Sequence, residues 1–229
     1  MDTKQLKKET QNLIKKYSLE LIHIDGLKCK FKGSGFQSLI FMNKKTELGW
    51  LQYSYVTNRM SKIGSVFGFY ISTGFRINNF STDDVPDQFK LLKLLTKMNL
   101  SYSNVCISSK CYHGLNSLNT LRKNFYDDGH VSIFENDELP EKLKNAVTFV
   151  NTIYVSRIIR FLRGDIELLD DIFEKPNNFG YPLATALAVC KLNNKEDLFG
   201  NILEKGKKIT LMEKEIQFLD EIQNKLNEE

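Results

Sequence analysis

The chain has 229 residues, with 32 Lys and Arg against 28 Asp and Glu, 41% hydrophobic residues and 11% aromatic residues. That apolar content suffices for one domain or two closely packed lobes, and it excludes a disordered tail protein. The net charge of +4 is spread along the sequence instead of being blocked, so charge alone does not argue for a nucleic-acid partner.

The opening Met1-Asp2-Thr3-Lys4-Gln5-Leu6-Lys7-Lys8 lacks the apolar core of a secretory signal, and no later run approaches the roughly 18 apolar residues of a membrane helix. The expectation is a cytoplasmic protein without a membrane segment. Cys29, Cys106, Cys111 and Cys190 show no disulfide-framework spacing and read as reduced, buried small hydrophobes.

Leu6, Leu13, Ile14 and Tyr17 form one stripe, which predicts a helix from about Thr3 to Tyr17. Leu19 to Ile24 and Leu27 to Lys32 then flank Asp25-Gly26, a dipeptide suited to a two-residue hairpin because glycine tolerates positive φ, and both runs read as strands. In the second run Leu27, Cys29 and Phe31 share one face, and Lys28, Lys30 and Lys32 share the other. Gly33-Ser34-Gly35 is the next turn, followed by strands over Phe36 to Met42, Trp50 to Thr57 and Ser65 to Ile77. The last has the clearest pattern: Phe67, Phe69, Ile71, Thr73, Phe75 and Ile77 alternate with Val66, Gly68, Tyr70, Ser72, Gly74 and Arg76. Connections too short for a crossover helix make these runs an antiparallel meander.

Ser81-Thr82-Asp83-Asp84-Val85-Pro86 supplies capping residues and a proline for a helix that runs to about Met98. Tyr102 to Ser108 and His130 to Phe134 read as further strands, the second after the turn Asp127-Asp128-Gly129. From Asp137 the pattern is helical. Leu143, Val147, Val150, Tyr154, Ile158 and Phe161 mark a long amphipathic helix ending at Gly164, and Asp165 caps a short successor through Phe173. Leu183 to Leu192 is apolar nearly all round, Glu196 to Lys205 follows, and Met212, Ile216, Leu219, Ile222 and Leu226 give a final helix one apolar stripe. The predicted class is α+β, with a sheet lobe and its helices over 1–135 and a helical lobe over 136–229.

No metal or cofactor is expected. Cys106, Cys111 and His113, with Cys29 or His130 as a fourth ligand, match no common structural-zinc spacing. Asp127, Asp128 and His130 read as a turn in preference to an acid/base group, because nothing nearby identifies a nucleophile. Gly33 and Gly35 lack the later glycine and the Lys-Ser/Thr of a phosphate loop. His23 reads as a surface or hydrogen-bonded residue, and Glu167, Asp170 and Asp171 as a solvated helix face. Arg157, Arg160 and Arg163 recur every third residue and form a slanting basic stripe. They are the candidate nucleic-acid contacts of an alternative reading, against which stands pairing with neighbouring acids.

An N-terminal helix, a meander containing Phe36-Gln37-Ser38-Leu39-Ile40 and Gly68-Phe69-Tyr70-Ile71-Ser72-Thr73-Gly74-Phe75-Arg76-Ile77, and C-terminal helices together resemble a family of uncharacterised bacterial α+β proteins. Some of its members are immunity proteins of polymorphic-toxin loci. The resemblance implies a non-catalytic protein that binds a cognate toxin and blocks it sterically. It supplies no active site, and an uncharacterised enzyme stands as a further alternative. The residue types that dominate binding surfaces place the partner contacts at Trp50, Tyr53, Tyr70, Ser72 and Arg76, with Tyr55 beside them.

Overall fold

The computed structural model describes residues 2–34, 36–56, 65–77, 80–100, 105–110 and 131–228. Helix α1 (Thr3–Leu21) is followed by strands β1 (Lys28–Ser34), β2 (Phe36–Asn43), β3 (Thr46–Val56) and β4 (Phe67–Arg76). Then come α2 (Lys90–Met98), β5 (Val105–Lys110), β6 (Val131–Ile133), α3 (Leu139–Phe149) and α4 (Ser156–Arg163). The chain ends with α5 (Leu169–Glu174), α6 (Pro182–Leu192), α7 (Phe199–Gly206), α8 (Thr210–Ile216) and α9 (Leu219–Asn227). The strand order is β1-β2-β3-β4-β5, with β6 also paired to β4. The fold is α+β: an N-terminal helix, an antiparallel sheet and C-terminal helices.

Two compact units divide the chain: Met1–Thr73 with Ser109–Ser156, and Gly74–Ser108 with Arg157–Glu229. They interleave along the sequence and so differ from the sequential lobes 1–135 and 136–229. The cause is packing between distant segments, α3 on α1 in the first unit and α6 on α2 in the second.

Within the first unit, α1 buries Leu6, Thr10, Ile14, Tyr17 and Ser18 on one face. The strand expected over Leu19 to Ile24 is absent. The helix instead runs on through Leu21, because the 3.6-residue spacing that buries Ile14, Tyr17 and Ser18 continues to Ile22, which has no exposed surface. Asp25-Gly26 therefore turns a helix into β1, with Gly26 at φ 80° and the Leu27 N–H donating to the Ile24 carbonyl. Strands β1 and β2 pair from Lys28↔Met42 to Ser34↔Phe36, and β2 pairs β3 from Gln37↔Tyr53 to Asn43↔Thr46. A register shift at Phe41/Met42 accompanies complete burial of Leu48. The first three residues of β4 pair with β6 at Phe67↔Ile133, Gly68↔Ser132 and Phe69↔Val131. After α3 the helix widens into a π-helical segment, Val150–Val155. There Asn151 Nδ2 donates to the Leu21 carbonyl at 2.9 Å, satisfying the open C-terminus of α1.

The second unit is organised around α6, in which every residue from Pro182 to Cys190 is buried. Helices α2, α5, α7, α8 and α9 pack on it. Glu215, 3% exposed on α8, accepts the Leu183 and Ala184 backbone N–H groups at 3.0 Å each, so one carboxylate caps the buried start of α6. Tyr181 donates its phenol to the Leu100 carbonyl at 2.6 Å. Gly164, at φ 85°, ends α4 as expected, and a Cβ there would meet Leu192 Cδ1 at 3.0 Å. The single final helix expected over Met212 to Leu226 is two helices, α8 and α9, broken at Gln217 and Phe218.

Candidate functional site

The alternation of β3 decides which candidate residues reach the surface. Leu51 and Tyr53 lie on the face covered by α1, where Tyr53 Oη is 2.6 Å from Ser18 Oγ and Gln37 Nε2 donates to the Gln11 carbonyl at 3.2 Å. Tyr55 shares that face. Its phenol donates to Gln37 Oε1 at 2.6 Å, Lys7 Nζ sits 5.3 Å from its ring, and burial followed by the nearby Tyr53 holds it well above the ordinary phenol range. Rings from β4 complete this core, with Tyr53 and Phe69 6.1 Å apart edge to face. Tyr53, expected as a partner contact, has no exposed surface and is a core residue. The correction follows from parity, since positions 50 and 53 of one strand point to opposite faces.

Trp50 lies on the other face. Cross-strand partners share a face, so Lys30↔Ile40 and Ile40↔Trp50 make one row, and Lys32↔Ser38 and Ser38↔Gln52 make the next. Trp50 is half-buried, Ile40 is 8% exposed, and Lys28, Lys30 and Lys32 are exposed along β1. Lys32 pairs with Glu47 across the sheet. Thr73 Oγ1 donates to the Trp50 carbonyl at 2.9 Å, which brings β4 against β3 at this point. Tyr70 and Ser72 are half-buried, alternating with buried Phe69, Ile71 and Thr73. The structure thus groups Trp50 with Ile40 and the β1 lysines, while Tyr70 and Ser72 lie on the β4 row that alternates away from the core. Ile40 and Gln52 were not singled out from sequence, although their alternation with Leu39 and Leu51 was there to find them.

Arg76 is exposed and belongs to the second unit. So do the three arginines of α4. Arg157 forms an ion pair with Asp171, and Arg160 donates to Asp165 at 2.7 Å and to Glu167 at 2.8 Å. The two carboxylates raise the Arg160 pKa, with the Asp165 hydrogen bond the largest cause. Two of the three guanidinium groups are therefore directed at acids of the same unit, and Arg163 is exposed.

Asp127, Asp128, His130, Cys111, His113 and Gly35 lie outside the described residues, as does the Cys106 side chain. His23 is exposed, and its Nε2 bonds the Glu20 carbonyl at 3.0 Å. Burial pushes the Cys29 thiol up, and Cys29 Sγ donates to the Ile22 carbonyl at 3.6 Å. Among the described residues no group of three or more His, Cys, Asp or Glu is placed to hold a metal ion, and no helix is long and apolar enough to cross a membrane. No family model, no curated protein and no solved structure matches this chain.

Proposed function

We propose that the chain is a protein-binding module of the immunity type: a cytoplasmic bacterial protein that occupies a cognate toxin and blocks it sterically, without catalysis. The observation that supports this reading is the half-buried Trp50 beside Ile40 on the sheet face turned away from α1. A large amphipathic ring on an aliphatic base, bordered by polar side chains, is the composition from which binding hot spots are made. Tyr70 and Ser72 extend the same chemistry on the next strand. The nucleic-acid reading draws little from the arginine stripe, because Arg157 and Arg160 already engage carboxylates.

The test is affinity isolation from a bacterial host with the wild-type chain and with Trp50→Ala and Tyr70→Ala, followed by calorimetric titration of the protein recovered. A stoichiometric partner weakened by these substitutions supports the reading. Recovery of no such partner, or of one indifferent to both substitutions, defeats it.

A further inference from the structure

Resting on that protein-binding reading, we infer that the partner meets this sheet face with an acidic surface, setting carboxylates against Lys28 and Lys30 and an apolar group against Trp50, which Ile40 backs from below. Lys28, Lys30 and Lys32 occupy every second position of β1, which places their Cα atoms about 7 Å apart along one side of the sheet. Lys45, in the turn after β2, adds an exposed cation at the Lys28 end, where Lys28 pairs with Met42. The carboxylates nearby in the chain are Glu47, already paired with Lys32, and Asp25 in the turn before β1. Lys28 and Lys30 form no ion pair among the described residues. A local excess of positive charge therefore borders the aromatic centre, on a chain whose net charge is only +4.

The layout favours a protein over a nucleic acid. Cations stand at one rim, and the centre of the row is the nearly buried Ile40 beside a single tryptophan. An apolar centre with a charged rim is the anatomy of a protein interface. A single-stranded nucleic acid takes a cationic groove that follows its backbone, with successive bases stacked on successive rings. The lysines then act mainly on the rate and selectivity of encounter, through long-range attraction that salt screens.

Trp50 is the only tryptophan in the chain, so its emission reports this face directly. In the full-length protein, the ratio of iodide to caesium quenching of Trp50 should exceed the ratio for free N-acetyltryptophanamide, and the excess should fall in the double variant Lys28→Glu/Lys30→Glu. A random glutamate–tyrosine copolymer should shift the Trp50 emission, and the double variant should weaken its binding by roughly tenfold or more. Circular dichroism checks that the variant stays folded. Should the variant not fold, Lys28→Gln/Lys30→Gln takes its place, with a smaller loss expected. A quenching ratio no higher than that of the free fluorophore, no response to the copolymer, or equal copolymer binding by the variant each overturns the inference. So does an oligouridylate that displaces the copolymer, which makes the face a nucleic-acid surface. An isolated protein partner that is sensitive to Trp50→Ala but indifferent to the lysine substitutions overturns only the acidic character and leaves the protein-binding reading standing.

Discussion

The Tyr53 phenol and the Ser18 hydroxyl lie 2.6 Å apart inside the first unit, and neither residue has exposed surface. The bond fixes the third strand to the N-terminal helix at a point where water cannot replace either partner. Tyr53→Phe is expected to cost about 1–3 kcal/mol, the penalty for a buried polar group deprived of its partner. The double variant Ser18→Ala/Tyr53→Phe should cost less than the sum of the two single changes, because it leaves no hydroxyl stranded. Urea unfolding of the four proteins measures the coupling. Strictly additive losses would show that the two hydroxyls do not depend on one another.

Glu215 holds an analogous position in the second unit, where one carboxylate accepts two backbone N–H groups at the start of a helix buried on all sides. Glu215→Ala strands both donors in an apolar environment and should destabilise the protein by about 3 kcal/mol or more. Glu215→Gln retains one acceptor oxygen and should lose less. Hydrogen exchange gives the local readout: the Leu183 and Ala184 amides should lose protection in the alanine variant before the sheet amides do. Unchanged protection there would contradict the capping role.

The strands were legible where one face is apolar and the other is not. From Phe67 to Phe75 the odd positions are buried almost completely, with Phe67 5% exposed and Ile71 fully buried, and Arg76 is exposed. Ile22 and Ile24 are ambiguous in sequence because two apolar residues spaced by one fit a strand as well as a helix end, and Asp-Gly serves a helix-to-strand turn as readily as a hairpin. The break at Gln217 and Phe218 carries no glycine or proline, and the apolar spacing from Met212 to Leu226 runs across it unchanged. The π-helical segment is equally silent in sequence. At the candidate site the residue types were readable but their faces were mixed, since Tyr53 was grouped with Trp50 despite opposite parity. Which acids meet Arg157 and Arg160 depends on the chain reversal after Gly164, which residue spacing alone does not specify.

The buried Cys190 thiol supplies a pH dependence with a definite sign. Burial, followed by the charges of Asp197 and Glu196, pushes it from 9.0 up to about 11. The folded chain therefore keeps its proton where the unfolded chain has lost it. The resulting contribution is fully present below 9.0 and is lost as pH rises from there towards about 11. Cys190→Ala should flatten this alkaline fall in stability relative to the wild type, whatever its constant packing cost. Alkylation mapped by mass spectrometry at neutral pH should also find Cys190 unmodified until the protein is unfolded. Parallel stability curves for the two proteins above pH 9.0 would refute the assignment.

The two faces of the third strand give the sharpest functional prediction, because neighbouring aromatic residues should behave oppositely. Trp50 is half-buried on the face turned from α1, and Tyr53 is sealed beneath that helix. If the outer face docks a partner, Trp50→Ala and Tyr70→Ala should each weaken the complex by about 2 kcal/mol, the scale of an aromatic hot spot. The isolated protein should then lose little stability, since both residues are partly exposed. Tyr53→Phe should reverse the pattern, lowering stability while leaving affinity unchanged once the fraction folded is taken into account. Calorimetric titration paired with thermal unfolding separates the two effects. If Trp50→Ala lowers stability as much as Tyr53→Phe does and leaves affinity unaltered, Trp50 is a packing residue and the docking surface lies elsewhere.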